Sequence, residues 1–166
     1  MGTKTALTVE EYLRTSFPDL DKEYRDGDVE ERSMPDYLHS KTQGLLIAFL
    51  LALRGTLKLF VCPELRMKLG TGRYLIPDVA VFYPDEPTVQ VPDTPPLIAI
   101  EILSEDDRMN AVREKLQEYK AWGVPHVWLV DPYSKRLYSC NGALQEVLTL
   151  TVPEMCSEMK PADIFG

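Results

Sequence analysis

Two short apolar runs each carry a single carboxylate where a core residue is expected. They are I-P-D-V-A-V-F from Ile76 to Phe82, holding Asp78, and L-I-A-I-E-I-L-S from Leu97 to Ser104, holding Glu101. Runs of Val, Ile and Phe this short, bounded by proline and glycine, read as strands covered on both faces, as in a packed α/β core. Side chains alternate along a strand, so Asp78 shares a face with Ile76, Ala80 and Phe82, and Glu101 with Ala99 and Leu103. A lone ionised carboxylate among such neighbours is unfavourable unless a cation, a metal or several donors stand beside it.

A candidate cation follows in D-D-R-M-N-A-V-R-E-K-L-Q-E-Y-K-A-W-G, from Asp106 to Gly123, where Gly and then Pro mark a helix C-terminus. At helical spacing Val112, Leu116, Tyr119 and Trp122 form one stripe, and Lys115 and Arg108 fall within it. Arg113, Glu114, Gln117, Glu118 and Lys120 take the solvated side. Lys115 therefore points towards the sheet. It either reaches the two carboxylates or lays its stem over apolar surface.

The rest of the chain frames this stretch. The 166 residues with 45% hydrophobic content can supply one core. Cys62, Cys140 and Cys156 are odd in number and lack C-x-x-C spacing, which argues for a reducing, cytoplasmic setting over a disulfide framework or zinc knuckle. The longest apolar run, Leu45 to Leu53, is too short to span a bilayer, so no membrane association is expected. A net charge of -8 argues against broad, nonspecific nucleic-acid binding. Arg54, Lys58, Arg66, Lys68 and Arg73 leave residues 54 to 73 as the basic region.

Thr8 to Glu11, T-V-E-E, is a capping box opening a first helix that turns Val9, Tyr12 and Leu13 inward and ends at Phe17-Pro18-Asp19. Asp26-Gly27 signals a hairpin turn. A second helix runs from Tyr37 to Arg54, with Leu46, Leu50 and Leu53 buried and His39 and Gln43 on the same face. His39 is either a satisfied core residue or a proton-transfer or phosphate-contacting group lining a site. Leu59 to Leu69 reads as one strand, residues 84 to 96 as a stiff proline-rich loop bordering the site, and Val127 to Val130 and Arg136 to Cys140 as two further strands.

Two carboxylates at adjacent strand ends can hold one Mg²⁺ or Mn²⁺, with a nearby ammonium orienting the attacking water, which is the logic of metal-assisted phosphodiester cleavage. The bland counterpart is a buried ion cluster of Asp78, Glu101, Lys115 and Arg108 that only fixes the helix on the sheet. Pro77-Asp78, E-I-L-S at Glu101 to Ser104, K-L-x-x-Y at Lys115 to Tyr119 and G-V-P-H-V-W-L-V-D-P at Gly123 to Pro132 resemble the Uma-type putative restriction endonuclease domain, of the P-D-(D/E)-x-K nuclease superfamily. Asp26-Gly27, Glu31-Arg32 and His39-Ser40 extend the resemblance over most of the chain.

The resemblance implies a restriction-endonuclease-like α/β fold, a mixed and mainly antiparallel sheet flanked by helices. One nuclease-like domain is expected at this length, with a helix and hairpin over 1–36, a core over 37–140 and a tail over 141–166. The resemblance further implies a Mg²⁺- or Mn²⁺-dependent endonuclease acting on DNA, with a homodimer suited to cutting both strands. Asp78 and Glu101 would be catalytic and metal-ligating, joined by the Ile102 carbonyl, with Lys115 catalytic and His39, Gln43, Glu31, Glu64 and Arg108 in support. The position two residues after Glu101, where the superfamily places its lysine, is Leu103, so Lys115 would supply the ammonium from the helix. An additional early carboxylate is expected, with Asp28, Glu31 and Glu64 as candidates. A catalytically silent binding or regulatory module on the same fold is the alternative.

Overall fold

The computed structural model describes residues 6–18 and 21–166. Its spine is a six-stranded sheet built from β3 (Phe60–Pro63), β6 (Val79–Phe82), β7 (Ile98–Ile102), β8 (His126–Asp131), β9 (Arg136–Cys140) and β10 (Leu144–Val147). The spatial order is β10-β9-β8-β7-β6-β3. All neighbours are antiparallel except β7 and β8, whose parallel pairing is crossed by α3 (Met109–Trp122).

Period-two alternation divides this sheet into two apolar faces. Val79, Val81, Ile98, Ile100, Ile102, Trp128 and Val130 pack with Leu46 and Leu50 of α2 (Tyr37–Ala52) and with Ile164 of α4 (Pro161–Phe165). Ala80, Phe82, Ala99, Val127 and Leu129 pack beneath Leu116 and Tyr119 of α3, with Val112 and Trp122 alongside. The helical stripe expected from sequence is therefore the buried face of α3. Continued one step beyond Val79↔Ile100, the β6–β7 register sets Asp78 opposite Glu101, both on the α3 side.

A second, antiparallel sheet, ordered β2-β1-β5-β4, comes from β1 (Glu23–Arg25), β2 (Asp28–Glu30), β4 (Met67–Gly70) and β5 (Arg73–Leu75). Asp26 and Gly27 between β1 and β2 both have positive φ, 47° and 101°, the two-residue hairpin turn that Asp-Gly favours. Tyr24 and Tyr74 from this sheet close on Tyr12 of α1 (Val9–Arg14), whose Thr8 and Glu11 form the expected capping box. Asp19 lies outside the described residues.

Residues 59–69 do not form one strand. After Pro63, which offers no amide, Glu64 adopts φ 48°, and the chain leaves the large sheet for the small one. β6 starts at Val79, so Asp78 stands at the strand entrance, where its carbonyl accepts from the Glu64 amide at 3.2 Å. The proline-rich segment 84–96 is absent from the cleft wall; its Pro92 carbonyl accepts from the Lys68 amide and Val91 packs on the tyrosine cluster. In the last residues, β11 (Leu150–Val152) pairs with β12 (Ser157–Met159), and Ile164 and Phe165 join the α2 core. Among the described residues no helix is long and apolar enough to cross a membrane.

Leu116 is fully buried between α3 and the sheet. Leu116→Ala should cost about 2–5 kcal/mol in urea unfolding. A loss below about 0.5 kcal/mol, as for a surface position, would mean that α3 does not seat there.

Candidate active site

Where β6 begins and β7 ends, an open cleft of about 630 Å³ reaches down to Asp78 and Glu101. Asp78 is 4% exposed and Glu101 8%. Burial of this depth demands partners, and each carboxylate has them. Asp78 Oδ2 accepts from the Ile102 amide at 2.7 Å and lies 3.3 Å from His39 Nε2, while Oδ1 takes Arg32 Nη2 at 3.1 Å. Glu101 Oε1 takes the Tyr119 hydroxyl at 2.8 Å and Lys115 Nζ at 2.9 Å.

The Lys115 ammonium also donates to the Ile76 carbonyl at 3.1 Å and contacts Glu23 Oε1 at 2.7 Å. Glu23 in turn accepts from the Ile76 amide at 3.0 Å. The early carboxylate that the structure brings against Lys115 is Glu23, at the start of β1; Asp28, Glu31 and Glu64 do not contact the ammonium. Asp28 is exposed at the hairpin. Glu31 is 82% exposed and holds Lys22, and Glu64 lies 3.8 Å from Arg32 on the far side of that guanidinium. A signal for Glu23 exists in E-Y-R: Tyr24 faces the aromatic cluster, so Glu23 and Arg25 share the opposite face, and Arg25 does reach α3.

Other anticipated members fall in place or stand aside. Gln43 Nε2 donates to the Asp78 carbonyl at 2.9 Å from α2. Arg108 is the N-cap residue of α3, exposed at the cleft mouth, and forms no ion pair among the described residues. A cap position aims it along the rim, so the buried cluster of Asp78, Glu101 and Lys115 is completed by Arg32 instead. Glu118, expected in solvent, binds Arg73 through both oxygens and Arg25 as well, tying α3 to the small sheet. Leu103 packs against the α3-side core, so from that side of the sheet the ammonium reaches Glu101 from α3.

Burial and the surrounding charges together set the titration. Three carboxylates, Glu23, Asp78 and Glu101, face two permanent cations, Lys115 and Arg32. Burial pushes Glu101 up to about 7 against the pull of Lys115, with Asp78 and Glu23 adding repulsion. Burial also opposes ionisation of Asp78, but the His39 hydrogen bond and charge, Lys115 and the Ile102 amide hold its pKa below the ordinary carboxylate value. Burial works against a charged His39, yet Asp78 outweighs it and raises the imidazole. For Lys115 the surrounding carboxylates overcome burial and hold the ammonium charged. Burial and the neighbouring Glu101 charge keep the Tyr119 hydroxyl protonated, as a donor.

The donor set is hard oxygen, of the kind Mg²⁺ and Mn²⁺ prefer. Among the described residues no three His, Cys, Asp or Glu side chains converge as a ready cage. Mg²⁺ needs none, because it is commonly held by one or two carboxylates together with waters and substrate phosphates. Glu101 Oε2 makes no hydrogen bond among the described residues and opens onto the cleft. The Ile102 carbonyl leaves the same edge of β7 as the amide that binds Asp78, since a strand residue's N–H and C=O point to one side. Asp78, Glu101 and the Ile102 carbonyl thus suit such an ion.

The mixed, mainly antiparallel sheet flanked by helices is a restriction-endonuclease-like α/β core. The sequence model of the Uma2 family, described as "Putative restriction endonuclease", matches residues 9–160, and the chain belongs to that family. A solved structure described as a putative nuclease belonging to DUF820, from Anabaena variabilis, superposes with a TM-score of 0.80. It is 22% identical over 96% of this chain and 97% of that one, a likeness that establishes the fold. No curated protein matches the chain.

Lys115→Met leaves Glu23, Asp78 and Glu101 facing one another without the ammonium. The variant should lose about 3–5 kcal/mol at pH 8. Burial places the Glu101 proton near pH 7 and Lys115 stabilises the ionised form, so the loss should shrink as pH falls from 8 to 5 and Glu101 takes up its proton. Denaturant titrations at the two pH values measure it; an equal, small loss at both would remove Lys115 from the cluster.

Proposed function

We propose that the protein is a metal-dependent endonuclease that hydrolyses DNA phosphodiester bonds in this cleft. The reading rests above all on one observation: two carboxylates, Asp78 at the entrance to β6 and Glu101 near the end of β7, stand with the Lys115 ammonium at the floor of an open cleft. Asp78, Glu101 and the Ile102 carbonyl would hold Mg²⁺ or Mn²⁺. The bound ion would neutralise charge developing on the phosphate and make its water more acidic.

The chain's own groups have separable tasks. Lys115 stays protonated, so it orients water and stabilises negative charge and does not act as a base. Glu23 and the Ile76 carbonyl fix the ammonium's position. Tyr119 donates to Oε1 of Glu101 and leaves Oε2 facing the cleft. His39 and Gln43 hold the Asp78 side chain and carbonyl from α2. Two copies would serve a duplex with one site per strand, and the free Cys62, Cys140 and Cys156 fit a reducing cytoplasm.

A second reading has its own support: both Asp78 oxygens are engaged by protein donors, as in a silent module whose cluster only fastens α3 to the sheet. Plasmid nicking in Mg²⁺ or Mn²⁺ separates the two. On the enzyme reading Asp78→Asn, Glu101→Gln and Lys115→Met each lower the rate by about 10²–10³. Equal cleavage by wild type and Glu101→Gln would rule out this site.

Metal affinity adds a pH test. Glu101 must shed its proton to ligate, and burial places that proton near pH 7. Mn²⁺ binding followed by calorimetry should therefore strengthen from pH 6 to pH 8, and a flat profile would contradict Glu101 as a ligand.

A further inference from the structure

The cleft is an awkward place for a polyanion. Nine acidic side chains line it, Glu23, Glu30, Glu31, Asp78, Glu101, Asp106, Asp107, Glu114 and Glu118, against five Lys and Arg. A phosphate can enter only where a cation has donors to spare, so the five must be told apart by what already holds them.

Arg73 is saturated, with Nε and Nη2 on Glu118 and Nη1 on Glu30 and the Tyr24 carbonyl. Arg25 is divided between Glu30 and Glu118. Lys115 spends its three N–H donors on Glu23, Glu101 and the Ile76 carbonyl. Arg108 forms no ion pair among the described residues, but it is exposed at the N-cap of α3, outside the buried cluster. Arg32 is different. Its side chain is only 10% exposed and it lines the cleft, yet among the described residues it makes a single hydrogen bond, Nη2 to Asp78 Oδ1, with Glu64 at a loose 3.8 Å. A guanidinium offers five N–H donors in a fork that matches two phosphate oxygens.

We propose that Arg32 is the phosphate-contacting residue of this site, bound to Asp78 when the cleft is free of substrate and transferred to a phosphate oxygen of the substrate when Asp78 turns to a divalent cation. The inference rests on the endonuclease reading and deepens it. The exchange is sterically local, because the oxygen that Arg32 holds belongs to the residue assigned to the metal. It is also electrostatically balanced: a cation replaces a cation at Asp78, and the freed guanidinium meets the new negative charge. Arg32 hangs from the segment between β2 and α2, which is tethered to the other wall by the Ser33 hydroxyl on Asp107. The side chain is thereby held over the carboxylates without being locked by a second one.

The test uses the full chain and two separate titrations: Mn²⁺ alone, and a fluorescein-labelled DNA duplex in Ca²⁺. Arg32→Met should leave Mn²⁺ affinity unchanged or tighter, since a competing cation has gone from Asp78. The same variant should weaken duplex binding roughly tenfold to a hundredfold. Arg32→Lys should recover part of that loss, keeping the charge but not the fork. Unchanged duplex affinity in Arg32→Met would overturn the proposal, as would a parallel fall in Mn²⁺ and duplex affinity, the mark of a residue that only shapes the carboxylates. Should Arg32→Met not fold, Arg32→Lys decides alone, with wild-type duplex affinity overturning the proposal. If wild type binds neither Mn²⁺ nor duplex, the endonuclease reading itself has failed, a result distinct from a failure confined to the Arg32 variants.

Discussion

One ammonium group holds this molecule's working end together. Lys115 Nζ sits between Glu23 of the hairpin sheet, Glu101 of the central sheet and the Ile76 carbonyl before β6, and so ties α3 to all three. Buried ion clusters contribute little net stability compared with apolar packing, because desolvation offsets most of the attraction. What such a cluster supplies is definition: the α3 register, the hairpin position and the ends of two strands must all be correct for the charges to pair.

That requirement accounts for much of the surrounding sequence. The Ala80–Ala99 pair leaves depth beside the carboxylates, which Tyr119 fills with its ring while its hydroxyl reaches Glu101. Outside the cluster, Arg73 and Glu118 repeat the link between small sheet and α3 at a less buried level. Burial, with repulsion from Asp78 and Glu23 added to it, raises Glu101 to about 7, where its protonation can respond to a bound cation. A carboxylate cluster one positive charge short, in a cleft where acids outnumber cations, would by itself repel a polyanion and would favour a divalent ion.

Legibility from sequence follows the length of the pattern. β6 and β7 are fully buried runs, and a carboxylate in such a run stands out, so Asp78 and Glu101 could be read directly. The 14 residues of α3 carry enough helical periods to point Lys115 inward. Likewise α2 is long enough to place His39 and Gln43 on the face of Leu46 and Leu50. Glu23 escaped because β1 is three residues long, too short for alternation to separate a buried acid from the solvated acids of the same hairpin. The break at Glu64 escaped because positive φ at a non-glycine residue leaves no periodic trace. Arg32 and Glu118 owe their places to partners 46 and 45 residues away, and such distant pairing has no local signature.

Asp78 and Glu101, beside the Lys115 ammonium, would have to present oxygen jointly to one divalent ion for the cleft to work as proposed. Anomalous scattering from Mn²⁺-soaked crystals, collected above pH 7 so that Glu101 is ionised, tests this directly. A single strong peak bounded by Asp78, Glu101 and the Ile102 carbonyl, with Arg32 no longer on Asp78, is the predicted result. A map with no peak there, or with Mn²⁺ only at acidic residues elsewhere on the surface, would contradict it.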